Sequence, residues 1–255
     1  MSKASDTQLD FWGHLDILRS CLIRIIAAAS VCAIVAFFFK DVLFSVVLAP
    51  KDSGFVSYKL FDILGAPVEE FNVELINTGL SRQFVLHMKI AFYAGLMAAS
   101  PYALYVLFGF VSPALYPNEK KYARQAVVGG YAMFVVGLLV GYFLVFPLTF
   151  RFLSTYQVSS EIANLISIDS YLDSLILLCL AMGVFFELPI LCVLLSKTGI
   201  ITAKMMRDKR RYAIVIILTA AAFITPTSDV FTLMIVALPV YLLYEVSILL
   251  ISKRP

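Results

Sequence analysis

The residues best equipped for chemistry in this chain are its few acids, because most of their surroundings are apolar. In FVSPALYPNEKK, residues 110–121, Glu119 stands just ahead of Lys120, Lys121 and Arg124. A carboxylate held there can pair with one of those cations. It can also receive the guanidinium of a ligand through two parallel hydrogen bonds, a geometry that an ammonium does not copy. In MGVFFELPI, Glu187 lies inside an apolar run, where an ionisable group costs at least about 2.5–3.5 kcal/mol to insert and usually faces a cavity or a partner. It either packs in protonated form against a neighbouring helix or supplies a polar spot in a concave surface that a substrate or partner helix occupies. Pro189 removes a backbone donor two residues on and is expected to bend that helix. Glu245, in ALPVYLLYEVS, lies near the end of another run and can reach water from there. Lys89, with His87 beside it, is expected to extend to water in the same way. Asp16 and Arg19 in FWGHLDILRSCLIR are spaced to pair at i, i+3, and Asp229 in TPTSDVF is placed to cap a helix.

Enzymatic constellations are missing. There is no Gly-x-x-x-x-Gly-Lys-Ser/Thr phosphate loop, no His-Glu-x-x-His and no Gly-x-Ser-x-Gly elbow. The two histidines, His14 and His87, fall on opposite predicted faces of a membrane, which argues against a Ser/His dyad. Cys21, Cys32, Cys179 and Cys192 all lie in apolar runs without a Cys-x-x-Cys spacing, so neither disulfides nor a metal site is expected. No cofactor and no nucleic-acid partner is indicated, and the chain does not read as an enzyme.

The elements that must position these acids are membrane helices. Of 255 residues 61% are hydrophobic and 15% charged, with a mean hydropathy of +0.92, which places the chain among integral membrane proteins. An all-α fold with six spans is expected, roughly 18–39, 84–110, 126–150, 171–196, 212–225 and 230–251. The fifth run is short: Tyr212 to Ile224 makes about 20 Å of helix against a hydrocarbon core of about 30 Å. The turn TPTSD sends the chain straight back, so the fifth and sixth spans read as a short hairpin. Residues 40–83, with Pro50, Gly54, Gly65 and Pro67, are too apolar for a disordered loop and are expected to form an ordered outer cap with short helices. A smaller loop spans 151–170. No repeat is visible, and one domain over 1–255 is expected.

Lys and Arg orient the spans. The N-terminus, the 111–125 and 197–211 loops and the tail carry fourteen of them. The other side holds Lys40, Lys51, Lys59, Arg82 and Arg151. Both termini are therefore expected in the cytoplasm, with Glu119 on the same side. Pro113 and Pro117 are expected to end the second span and hold Glu119 outside the apolar core. Phe11, Leu15, Leu18 and Leu22 form an apolar stripe on an amphipathic helix before the first span, with Trp12 at the membrane interface.

Taken in order, the segments FWGHLDILR (11–19), LAP (48–50), FVSPALYPNEKK, VGYFLVFPLTFRFL (140–153), FFELP (185–189) and RRYAIV…ITPTSDVFT…LPVYLLYE resemble the TatC family. That family forms the signal-peptide receptor and core subunit of the twin-arginine protein translocase, and the resemblance covers nearly the whole chain. It implies binding of signal peptides with paired arginines, assembly with small single-span TatA/TatB-type partners, self-association, and export of folded proteins across the bacterial cytoplasmic (inner) membrane on the proton-motive force. By position, Glu119 matches the family's signal-binding glutamate. Phe110, Pro113 and Tyr116 match its surroundings, and Lys121 lies beside it. Arg19 matches the arginine of the N-terminal motif, Pro50 the outer-loop proline, Glu187 the glutamate within the fourth span, and Asp229 the aspartate of the last outer turn.

One departure matters. The usual pattern His-Leu-x-Glu-Leu-Arg-x-Arg has Ile17 at the glutamate and Cys21 at the second arginine here. Asp16, one residue away and about 100° around a helix, is expected to supply the second carboxylate. Thr225 and Tyr244, polar residues in the two short spans, are candidate partner contacts alongside Glu245. The competing function is a six-span secondary transporter using Glu187 for proton coupling. Such folds are commonly built from paired halves, and no internal symmetry is visible.

Overall fold

The computed structural model describes residues 11–63, 73–115, 120–157, 164–197, 199–225 and 229–252. Among these the architecture is almost wholly helical. Helix α1 (Phe11–Phe37) is followed by α2 (Lys40–Leu48), a tight turn at Ala49–Lys51, α3 (Val56–Ile63) and the short strand β1 (Leu75–Ile76). Next come α4 (Arg82–Leu115), α5 (Lys120–Val140) and α6 (Phe146–Thr155), then strand β2 (Ile166–Ser167), α7 (Ile168–Phe185) and α8 (Leu188–Lys197). Helices α9 (Ala203–Asp208), α10 (Arg210–Ile224) and α11 (Val230–Ser252) complete the chain.

Five stretches are long and apolar enough to cross a membrane: Leu15–Phe37, Arg82–Leu107, Val127–Thr155, Ile168–Lys197 and Val230–Ser252. The chain is a multi-pass membrane protein. Helix α10 is equally apolar but has only 15 residues, about 22 Å of rise, so it does not reach across a hydrocarbon core unaided. The amphipathic segment and the first span are not separate elements. They form one continuous 27-residue helix.

Prolines shape these helices differently from expectation. Helix α4 does not stop at Pro113 but continues to Leu115, and it also runs through Pro101. Pro101 has no N–H for the Met97 carbonyl, and the Ser100 hydroxyl donates to that oxygen instead (2.6 Å). Ahead of Pro147 the chain widens into a π-turn at Gly141–Val145, where the Phe146 N–H bonds five residues back to Gly141. At Pro189 the expected break does occur. The Glu187 N–H bonds only three residues back, to Val184 (3.1 Å), and separates α7 from α8.

The core is built from α4, α6, α7, α10 and α11 around Leu86, Val145, Phe146, Leu172, Leu178, Met182, Val236 and Val240, with α5 packed against it. Glycines permit the closest approaches. A methyl added to Gly137 would meet the Met182 carbonyl, and one on Gly141 would meet the Cys179 backbone. Helices α1 and α4 form an antiparallel pair, with Gly95 seated on the backbone of Ala33. A second, smaller cluster of Met206, Ile248 and Ile251 fixes α9 against α8 and α11.

Candidate functional site

Two contacts fix the register of α1 against α4. Gly95 lies against Ala33, and His87 Nε2 donates to the Phe37 carbonyl (3.0 Å) with its ring stacked on Phe37. Along both helices, small or slim residues face inward: Cys21 and Ala29 on α1, Ala99 and Val106 on α4 are all buried. Continuing that antiparallel register towards the start of α1 brings Asp16 level with residues 108–112 and Arg19 level with 105–109. Both side chains are exposed, and they do not pair with each other as their spacing allowed. Phe110 is half-buried, and Pro113 lies in the last turns of α4. Tyr116 and Glu119 fall outside the described residues. Lys121 is the second residue of α5, and its side chain is likewise outside the description.

The intramembrane acid is placed by the kink. Glu187 sits between α7 and α8, 8% exposed, and neither carboxylate oxygen has a hydrogen-bond partner. It accompanies Phe186, which packs against the α5 backbone at Gly137. A buried carboxyl without a partner is costly to leave so, which makes this the most unusual polar group in the described structure.

Glu245 is partly exposed and is also held within the chain. It accepts from Arg210 (2.7 Å) and from the Tyr241 hydroxyl one turn earlier (3.0 Å), which ties α10 to α11. Tyr244 donates to the Met206 carbonyl (2.6 Å), and Thr225 is buried at the end of α10. Both direct their polar groups into the chain itself. Asp229 caps α11, its Oδ1 accepting from the Thr232 N–H (2.7 Å).

The cap is held by interactions that sequence reading did not find. Lys89 is partly exposed, as expected, and pairs with Asp173 of α7. Arg82 pairs with Asp169 (3.4 Å), one turn earlier on α7. Pro50 is buried, and its carbonyl accepts from the Tyr58 hydroxyl (3.0 Å), which also reaches Pro147 O (3.3 Å). Burial pushes the Tyr58 pKa up, so the phenol stays protonated and keeps donating. Tyr142 and Tyr171 donate to the Val46 and Val47 carbonyls. Strands β1 and β2 pair in parallel, Leu75 with Ile166 and Ile76 with Ser167. The available signal was the tyrosine content of the spans, since a buried phenol needs a partner. The identity of that partner, a carbonyl distant in sequence, is not encoded locally.

Comparison with known proteins decides the family. The model for "Sec-independent protein translocase protein (TatC)" matches residues 13–239. The chain belongs to the TatC family. TatC proteins of Blattabacterium and Aquifex aeolicus are similar to it along their whole lengths. The first is 30% identical, covering 99% of both chains, and the second is 34% identical, covering 93% of this chain and 92% of the other. Two crystal structures of the twin-arginine translocase receptor TatC share the fold. One, at 34% identity, has a TM-score of 0.77 and covers 94% of this chain and 98% of the other. The second, determined in the detergent DDM, has a TM-score of 0.78 at 33% identity. A TatC protein is a non-enzymatic translocase component, consistent with the missing catalytic motifs.

Proposed function

We propose that this chain is the signal-peptide receptor of a twin-arginine translocase, with both termini in the cytoplasm and Glu119 as the acid that meets the paired arginines. The observation that carries the reading is the register of α1 against α4. It sets Asp16 and Arg19 level with the end of α4, the helix that leads directly into the segment containing Glu119. Asp16 thus lies towards the end of the helix from which the chain runs on to Glu119, which supports a site where two carboxylates meet two neighbouring guanidinium groups. Asp16 takes the part of the glutamate that Ile17 has lost.

The acids supply selectivity more than affinity. An exposed ion pair is worth only about 0–1 kcal/mol, and well-aligned hydrogen bonds to charged groups about 1.5–3 kcal/mol. Most of the affinity comes from the peptide's apolar segment lying along the helices. TatA/TatB-type single-span proteins complete the assembly in the bacterial cytoplasmic membrane, and the proton-motive force drives it. The apolar face of α10, where Ile216 and Phe223 are exposed, is the surface offered to such helices.

A photo-crosslinker at position 119, presented with a twin-arginine precursor, tests the reading. An adduct that disappears when the two arginines become lysines supports it. No adduct, or one indifferent to lysine, overturns it and leaves the transporter reading, for which the unpartnered Glu187 is the motivating observation.

A further inference from the structure

We propose that helix α9 and the residues joining it to α10 form a binding site for the headgroup of an anionic phospholipid, of the phosphatidylglycerol class. Helix α9 is only six residues long, yet it is held firmly. Its start is capped by Thr202, whose Oγ1 accepts from the Met205 N–H (3.2 Å). Met206 is buried against Ile248 and Ile251, and its carbonyl accepts from Tyr244. Arg207 donates to the Ser252 hydroxyl (2.9 Å) at the end of α11. The backbone that carries Lys204 and Arg207 is therefore fixed in place.

Those cations lack acids. Arg210 is neutralised by Glu245, but Lys204, Lys209 and Arg211 are exposed and pair with no carboxylate among the described residues. Arg207 keeps its charge, because its partner is a hydroxyl. Asp208 is the single acid in the stretch from Lys204 to Arg211. A lipid fits better than a soluble polyanion because of what surrounds the charges. Ile200, Met205 and Tyr212 are exposed beside them, and these apolar groups suit the boundary between headgroups and acyl chains. Guanidinium and ammonium groups there match phosphate oxygens and are attracted to an anionic surface. The orientation proposed above places the site in the cytoplasmic leaflet.

The experiment places the full chain in phosphatidylcholine vesicles and measures how strongly spin-labelled phosphatidylglycerol and spin-labelled phosphatidylcholine are immobilised. The wild type is expected to prefer the glycerol lipid by about 3-fold or more. The triple variant Lys204→Gln, Lys209→Gln, Arg211→Gln is expected to lose that preference. The charge-conserving triple variant, with arginine at 204 and 209 and lysine at 211, and the remote variant Lys40→Gln, Lys59→Gln are both expected to keep it. Absence of preference in the wild type overturns the proposal. So does its survival in the glutamine variant, or its loss in either control. Label reaches both leaflets and no precursor is present, so a failed crosslink at position 119 does not bear on this result.

Discussion

Gly95 of α4 rests on Ala33 of α1 with no room for a side-chain carbon between them. That contact anchors the register that sets Asp16 level with the end of α4. Its effects reach the proposed receptor site about 20 residues away along α1. Gly95→Val is therefore expected to force the helix pair apart, costing about 1–3 kcal/mol or more. It should also weaken precursor crosslinking at position 119. Thermal unfolding in detergent measures the first effect, and adduct yield measures the second.

The two carboxylates proposed to share the ligand are separable. Asp16→Asn and Glu119→Ala are each expected to reduce export of a twin-arginine substrate, and folding of the purified chain should be unchanged in both. If Asp16→Asn exports normally while Glu119→Ala is inactive, Asp16 has not replaced the lost glutamate.

Lys89 and Asp173 form the ion pair that joins α4 to α7 below the cap. Both side chains are partly exposed, which limits the pair to about 1 kcal/mol. Lys89→Glu is expected to lower the unfolding midpoint by placing two acids together. Adding Asp173→Lys should restore it. A double variant no more stable than Lys89→Glu alone would show that the pair carries no coupling.

Glu187 has no partner within the described chain. Replacing it by leucine removes a buried polar group, and the purified protein is expected to gain about 1–3 kcal/mol. Translocation should fall, because the break between α7 and α8 loses its polar group. Calorimetry in detergent together with an export assay reads both effects. A stability loss would mean that the carboxyl is satisfied within the chain after all.

The sequence carried the membrane class, the long spans, the ordered cap and the break before Pro189, because each depends on local hydropathy or on a missing backbone donor. It does not reveal partners that lie far along the chain. Lys89 and Glu245 stand near span ends and keep partial exposure, as their positions predict. Their ion-pair partners Asp173 and Arg210 are not visible without knowing which helices touch. Pro113 was read as a stop, but α4 continues past it for two more residues. Pro101 shows how the same helix passes through another proline, with a neighbouring hydroxyl taking the place of the missing amide. The Asp16 site was legible only as an acid in a stripe. Its level beside the end of α4 came from Gly95, whose role depends on a neighbour 62 positions earlier in the chain.

The tethers of the cap arrive late in synthesis. Tyr58 waits for a carbonyl 89 residues downstream, Val47 for a hydroxyl 124 residues downstream, and Leu75 for the strand at Ile166. Residues 40–63 and 73–81 of a growing chain are thus made well before these distant partners. The cap closes only once α7 has begun to thread, so a closed cap reports that the preceding helices have been inserted in the right order. A nascent chain halted before residue 166 would leave that segment open to any protease on its side of the bilayer.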